Sequence, residues 1–476
     1  MREPGAVLLI SCYELGHQPL GIAWASAFLH RAGFSPQVLD ISVERLDHDK
    51  IHTARLVGIS VPMHTALRLG VRVAQRVRQL NPTCHICFFG LYAQLNQAFL
   101  LSSVADSVIG GEYEQALVSL VESLESHRPP EIDGVTRPGR PQGPVLKRLP
   151  FILPDRRLLP GLERYAQLEH NGTRSLAGYV EASRGCKHHC LHCPIPPVYG
   201  GRFFVIPREV VLEDIRRLVA SGALHITFGD PDFLNGPGHS LAIVRAMHQE
   251  FPEVTFDFTA KIEHLLKHRE LFPELAASGC LFIVSAVESL SDEVLGHLHK
   301  GHSRKDVFEA LGILRQAEIA LRPSWVAFTP WTTRADYLDM VEFVEQEGLV
   351  YHVDPVQYAI RLLIPPGSAL LSQGAIQPFL RELDQANFYY RWEHPDSRMD
   401  ALYERVSQIV EEATRQKEDT LVTFARIKRL SLDALGITGV AVDSGSPPPE
   451  SQRAPRLTEA WFCCAEPTRG QLAPVV

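Results

Sequence analysis

The sequence predicts an α/β protein with two parallel-sheet domains in series, the first doubly wound and the second a partial (β/α)6 barrel, followed by a helical extension and a tail on a flexible linker. Three observations predict it. Short apolar runs alternate with helical patterns from Ala6 to about Ser126, the alternation resumes at GYVEAS and runs to Pro366, and a stretch rich in Pro, Gly and Arg separates the two. At 476 residues the chain is too long for one ordinary core, so each run has enough length to bury its own.

Residues 1–126 carry AVLLIS, QVLDIS, LVGIS, HICFFG and SVIGG as strands, with helices between them, including the arginine-studded LRLGVRVAQRVRQLN. Gly90, Gly110 and Gly111 fall just past strand ends, where doubly wound sheets bind ligands, although glycines also serve there simply as tight turns. Residues 127–175 read as a linker that becomes an ordered crossover. Residues 176–370 hold the second run: HITFGD, VTFDFTAK, LFIVSAVES, LRPSWVAFTP and VDPVQYAIRLL follow GYVEAS, six strands of one direction, with the active site expected at their C-terminal ends. Residues 371–435 turn helical, 436–456 (with GVAVDSGSPPPESQRAP) read as a flexible linker, and 457–476 form a tail containing WFCCAEP.

Charged residues make up 21% and hydrophobic ones 45%, the profile of a soluble globular chain. The net charge of -8 argues against nucleic acid as the main partner, because phosphate binding needs concentrated Lys and Arg. No apolar stretch approaches a membrane span, and the opening MREPGAVLLIS reads as a first strand rather than a signal peptide, so a cytoplasmic, reducing setting is expected. There, clustered cysteines mean metal or redox chemistry more often than disulfides.

The cluster is RGCKHHCLHCP, with Cys186, Cys190 and Cys193 just after the first barrel strand. Two metals suit it. Three thiolates can hold three irons of a 4Fe-4S cube and leave the fourth open to a ligand. Alternatively His188, His189 or His192 completes a Cys3His zinc site. The position at a barrel mouth favours the cube.

C-x3-C-x2-C after a first barrel strand, with the aromatic His192 before the third cysteine, resembles the radical S-adenosylmethionine (SAM) superfamily. The resemblance implies that Cys186, Cys190 and Cys193 hold a 4Fe-4S cluster whose missing ligand is S-adenosylmethionine, cleaved reductively to methionine and a 5'-deoxyadenosyl radical. It implies a one-electron donor such as flavodoxin or ferredoxin. In that superfamily an element at the second strand end meets the cofactor's amino group; FGDP stands here, making Gly229 and Asp230 the candidates. AVESLSDEVLGHLHKGH resembles the fourth-strand segment of cobalamin-type members and nominates Glu288 and Ser289, and Arg361 in YAIRLLIPPG could meet the cofactor's carboxylate through its bidentate fork. Each has a duller role open to it, as turn former, helix cap or partner of a structural acid.

The first domain, with VGIS, FFG and VIGGEYEQAL ahead of such a barrel, looks like the cobalamin-binding domain of B12-type members, with Ser60, Gly90, Gly110, Gly111 and Glu112 as candidate contacts. The D-x-H-x-x-G motif of many cobalamin proteins is absent; His17 in ELGHQPLG has the wrong spacing. The tail resembles the CUAEP/CCAEP-tail radical SAM proteins. Cys463 and Cys464 are adjacent, which suits them poorly for stapling a fold and well for holding a soft atom or relaying electrons. A related tailed group implies carbon-arsenic bond formation, and vicinal thiols bind trivalent arsenic. The expected function is thus a radical SAM enzyme acting on a small molecule, with a cobalamin-dependent methyltransferase as the alternative and a zinc-stabilised, non-enzymatic corrinoid or nucleotide sensor as the alternative of another class.

Overall fold

The computed structural model describes residues 1–126, 132–440, 442 and 447–459. Five parallel strands, β1 (Val7–Ser11), β2 (Gln37–Asp40), β3 (Leu56–Ser60), β4 (His85–Phe89) and β5 (Ser107–Ile109), form the first sheet. The short β6 (Val135–Thr136) adds antiparallel to β5, giving the order β2-β1-β3-β4-β5-β6. Every residue of β1, β3 and β5 is buried, because helices cover both faces; this is why the strands read as unbroken apolar runs and not as alternating ones. The helix Leu20–Arg31 packs on one face, and His64–Leu80 covers the other with its apolar stripe while Arg78 turns out to Asp106 at 2.7 Å.

The second sheet has the order β14-β13-β12-β11-β8-β7-β17. Its parallel part comprises β8 (Thr173–Val180), β11 (His225–Phe228), β12 (Thr255–Thr259), β13 (Cys280–Glu288) and β14 (Ala320–Trp325). The sixth expected strand is reduced to one parallel bridge, Phe328 to Arg361, because residues 355–359 wind into a 3-10 turn before it. The far edge is antiparallel, built by β7 (Gln167–His170) and β17 (Arg456–Leu457). A small antiparallel ribbon, β9 (Ser183–Gly185) with β10 (Phe203–Val205), brackets the cysteine loop.

The structure corrects three boundaries. Of the stretch read as a linker that becomes an ordered crossover, the linker part gives way: β6 adds to one sheet as β7 does to the other, so it joins the two domains rather than spacing them. The extension after residue 370 is not only helical: β15 (Leu380–Asp384) and β16 (Tyr389–Trp392) form a hairpin before the helices Ser397–Gln416 and Thr420–Ala434. Residues 447–459, assigned largely to the flexible linker, are docked, with Arg453 on Asp419 (2.8 Å), Arg456 on Glu169 (2.7 Å) and β17 paired to β7.

The two domains share one hydrophobic core, and a buried cation fastens them. Arg184, on β9, meets Glu114 at 2.5 Å, Glu112 at 3.4 Å and Glu181 at 2.9 Å, with its guanidinium 5.3 Å from the rings of Trp24 and Phe151. Glu112 also accepts from Tyr199 Oη at 3.0 Å. The residue two places before Cys186 is therefore locked to the C-terminal edge of the first sheet.

Candidate functional site

The cysteine loop leaves β9 at the C-terminal mouth of the barrel sheet. Cys186 and Cys190 are buried and Cys193 is half-buried. Burial pushes the Cys186 thiol up to about 11 and that of Cys190 up as well, so these sulfurs ionise only when a cation joins them. A zinc ion with bonds of about 2.3 Å would draw its sulfurs to about 3.8 Å of one another. Among the described residues the one trio of potential ligand atoms lying within 4.8 Å of each other is His188, Asp232 and His264, and not the three thiols. The three histidines of the loop face elsewhere: His192 Nε2 lies 3.2 Å from Glu288, His188 meets Asp232 at 3.4 Å, and His189 packs against Gly201.

Glu288 ends β13 with φ of 65°, a left-handed conformation rare for a long side chain and found where the surroundings over-determine the backbone. Its Oε1 accepts from Lys300 Nζ and His192 Nε2, both at 3.2 Å. Burial alone would raise this carboxylate, but Lys300 and His192 outweigh it and hold it down at about 2. Lys300 is itself buried and stands close enough to Cys190 and Cys193 to be felt by their charge. Sequence reasoning passed over Lys300, although it lies inside the HLHKGH run. It also missed Asn235, whose Nδ2 donates to Cys186 Sγ at 3.6 Å and whose carbonyl accepts from Lys187 Nζ at 2.7 Å.

The remaining candidates sort by what they touch. Asp230 is buried, accepting from Ala182 N at 2.9 Å and from Ser183 Oγ, so it clamps the backbone that enters the cysteine loop; burial lifts its carboxyl to about 7. Gly229 has Tyr179 Oη 2.0 Å from where a Cβ would stand, so any side chain would displace that ring. Ser289 Oγ accepts from Ser291 N at 3.1 Å, closing the turn after Glu288. Arg361 has the duller partner: it pairs with Asp400 at 2.8 Å, donates to the Trp392 carbonyl at 2.8 Å and stacks 3.7 Å over the Trp392 ring. That guanidinium is spent on the C-terminal extension rather than offered at the barrel mouth.

Along the first sheet's C-terminal edge, Ser60 Oγ donates to Glu14 at 3.4 Å, and Gly90 (φ 106°) passes close to the Val61 carbonyl. A Cβ at Gly110 would lie 2.3 Å from Gln94, and one at Gly111 (φ 70°) 2.2 Å from the Val145 carbonyl. Glu112 belongs to the Arg184 seam. His17, on the loop after β1, is turned into the barrel and stacks on Tyr179 with ring centroids 4.3 Å apart. Cys463 and Cys464 lie outside the described residues. Among the described residues no helix is long and apolar enough to cross a membrane.

Comparison with known proteins matches residues 180–328 to the model of the Radical SAM superfamily. The hopanoid C-3 methylase of Methylococcus capsulatus is 26% identical over 327 residues, covering 66% of this chain and 62% of that one. A tRNA-2-methylthio-N(6)-dimethylallyladenosine synthase of Desulfosudis oleivorans is 28% identical over 189 residues, 38% of this chain and 40% of that one. The chain thus spans less than two thirds of the length of these relatives. Among solved structures, the cobalamin-dependent S-adenosylmethionine radical enzyme OxsB is similar with a TM-score of 0.67 at 14% identity, over 91% of this chain and 70% of that one. TsrM from Kitasatospora setae, a radical S-adenosylmethionine methyltransferase bound to cobalamin and a [4Fe-4S] cluster, gives 0.59 at 17% identity, over 72% and 70%. At such identities the likeness is one of fold.

Proposed function

We propose that this chain, with its radical SAM domain at residues 180–328, is a cobalamin-dependent radical SAM enzyme acting on a small molecule. The observation that carries this reading is the trio of cysteines on one loop at the barrel mouth, within the matched stretch and set two residues from the cation that fastens the first domain. When bound, the cluster supplies the electron that splits S-adenosylmethionine. The chain's own residues do the rest: Cys186, Cys190 and Cys193 hold three irons, Asp230 and Arg184 fix the loop's entry from opposite sides, and Lys300 with Glu288 and His192 forms a buried ionic floor beneath it. Cobalamin would lie on the edge marked by Ser60, Gly90, Gly110, Gly111 and Glu112, as the order of domains and the similarity to OxsB and TsrM support.

The net charge of -8 favours a small molecule over nucleic acid. Methyl transfer is the second reading, favoured by the similarity to a methylase. The tail is the candidate substrate holder. Tyr13 Oη donates to Glu459, the last described residue, which therefore sits on the loop after β1. Cys463 and Cys464 follow in the sequence, outside the described residues, and an arsenical is a fitting soft ligand for such a thiol pair.

Anaerobic purification should give a brown protein with about four irons per chain that cleaves S-adenosylmethionine once reduced; tightly held zinc without iron would overturn the reading. A corrinoid spectrum after reconstitution with the vitamin tests the first domain. Replacing Cys463 and Cys464 by Ala should abolish product while sparing cofactor cleavage, with product followed by mass spectrometry in the presence and absence of trivalent arsenic.

A further inference from the structure

His188, Asp232 and His264 come from three separate segments: the cysteine loop, the loop after β11 and the helix Ile262–Lys267 after β12. Asp232 is wholly enclosed and His264 nine-tenths buried. Asp232 Oδ2 lies 2.9 Å from His264 Nδ1 and 3.4 Å from His188 Nε2. At those distances both imidazoles meet one carboxylate oxygen, and the three potential ligand atoms lie within 4.8 Å of one another. Two imidazoles from separate segments converging on one enclosed carboxylate bring together the donor atoms that a single cation shares. The rings are tilted by 58° with centroids 4.6 Å apart, so they are not stacked on each other. Nitrogens and oxygens that ligate an ion point to a common centre instead of to one another.

We infer that this trio is a second metal site, separate from the cluster, for a divalent transition ion of the zinc class. Two imidazoles and one carboxylate are a standard donor set for such ions, with a fourth position left for water or substrate. The carboxylate is already held from both ends: Oδ1 accepts from Leu234 N at 2.9 Å and Oδ2 from Lys261 N at 3.2 Å, which fixes its orientation before any ion arrives. Charge is compatible as well. Lys261 Nζ stands 3.3 Å from the other nitrogen of His188, but Glu263 neutralises it at 3.2 Å, leaving Asp232 as the net charge of the pocket. The ion would pin the loop segment between Cys186 and Cys190 to the ends of two barrel strands.

The test uses the full chain carrying Cys463→Ser and Cys464→Ser, so that the tail thiols hold no metal. The protein is reconstituted with iron and sulfide, exposed to zinc sulfate, desalted and counted for both metals by mass spectrometry. About one zinc per chain is expected beyond the irons, lost in His264→Ala with the iron count unchanged. The same zinc should persist when Cys186, Cys190 and Cys193 are all changed to Ala, and cobalt in its place should show visible d–d bands without a thiolate charge-transfer band. Two results would overturn the site: zinc that survives His264→Ala and Asp232→Asn, or a cluster-loaded parent chain, with only the two tail substitutions, that retains none. In the second case the trio is only a hydrogen-bonded hub, and the cluster reading stands regardless.

Discussion

At the C-terminal edge of the first sheet, Glu14 sits partly enclosed beside Asp40 with only Gly21 N and Ser60 Oγ, both at 3.4 Å, to offset its charge. Burial and then Asp40 push it up to about 8. At the corresponding edge of the barrel sheet, Glu288 is still more buried, yet Lys300 and His192 hold it at about 2. Burial is common to both acids, so it is the partner that decides which one is charged. Glu14 on the first edge is an acid ready to stay neutral; Glu288 on the second belongs to an ionised network beside three thiols. An edge of the first kind suits a large ligand recognised through shape and neutral hydrogen bonds, and an edge of the second kind suits the charge changes of electron transfer.

The seam between the edges gives the largest expected effect. Arg184→Met leaves Glu112, Glu114 and Glu181 without their cation, and breaking a buried ion network from one side costs about 3–5 kcal/mol. Thermal or denaturant unfolding should show it, and adding Glu114→Gln should recover part of the loss, since the two sites share one interaction. Additive losses would mean that the seam is packing alone.

The two glutamates predict opposite pH profiles for the cluster-free chain. Glu288 titrates lower folded than unfolded, so its stabilisation is complete above the ordinary carboxylate value and is lost as pH falls from about 5 towards 2. Lys300→Met should remove about 2–3 kcal/mol at neutral pH and flatten that acid limb. Glu14 titrates higher folded than unfolded, so the folded chain holds the extra proton and stability falls as pH rises from about 4.5 through 8. Glu14→Gln should flatten that limb and gain about 1 kcal/mol at pH 8, a figure reduced for its partial exposure. Denaturant titrations across pH 3–8 check both; identical slopes in the variants would dissolve the contrast.

What the sequence disclosed follows the same division between local and distant causes. The strands AVLLIS and LVGIS are legible because a strand buried on both faces must be apolar throughout. β6 and β17, two residues each, and the polar β15 carry no such signal, since they add to edges or stand in a ribbon apart. The cysteines are legible because their spacing lies on one loop. Asp232, Asn235 and Lys300 are not, because each becomes functional only by meeting the loop from a different strand end; Lys300 in particular reads as an ordinary solvated lysine after a short helix until β13 is seen to bury it. Arg361 misled for the converse reason: a strand-end arginine has the right chemistry, but Asp400, 39 residues on, claims it.

Asn235 offers the smallest and most selective way to sharpen the comparison. Its amide donates to Cys186 Sγ at 3.6 Å and carries no charge. A hydrogen bond to a ligating sulfur draws electron density from the cluster and so favours its reduced form. Asn235→Leu keeps the volume and removes the donor, so stability should change little while the reduction potential moves to more negative values, read by potentiometric titration with EPR detection of the reduced cluster. Lys300→Met should move the potential the same way and further, because a buried full charge outweighs a dipole at similar range. If Asn235→Leu leaves the potential unmoved while Lys300→Met shifts it, charge alone tunes this edge; if neither does, the ionic floor serves the fold and not the electron.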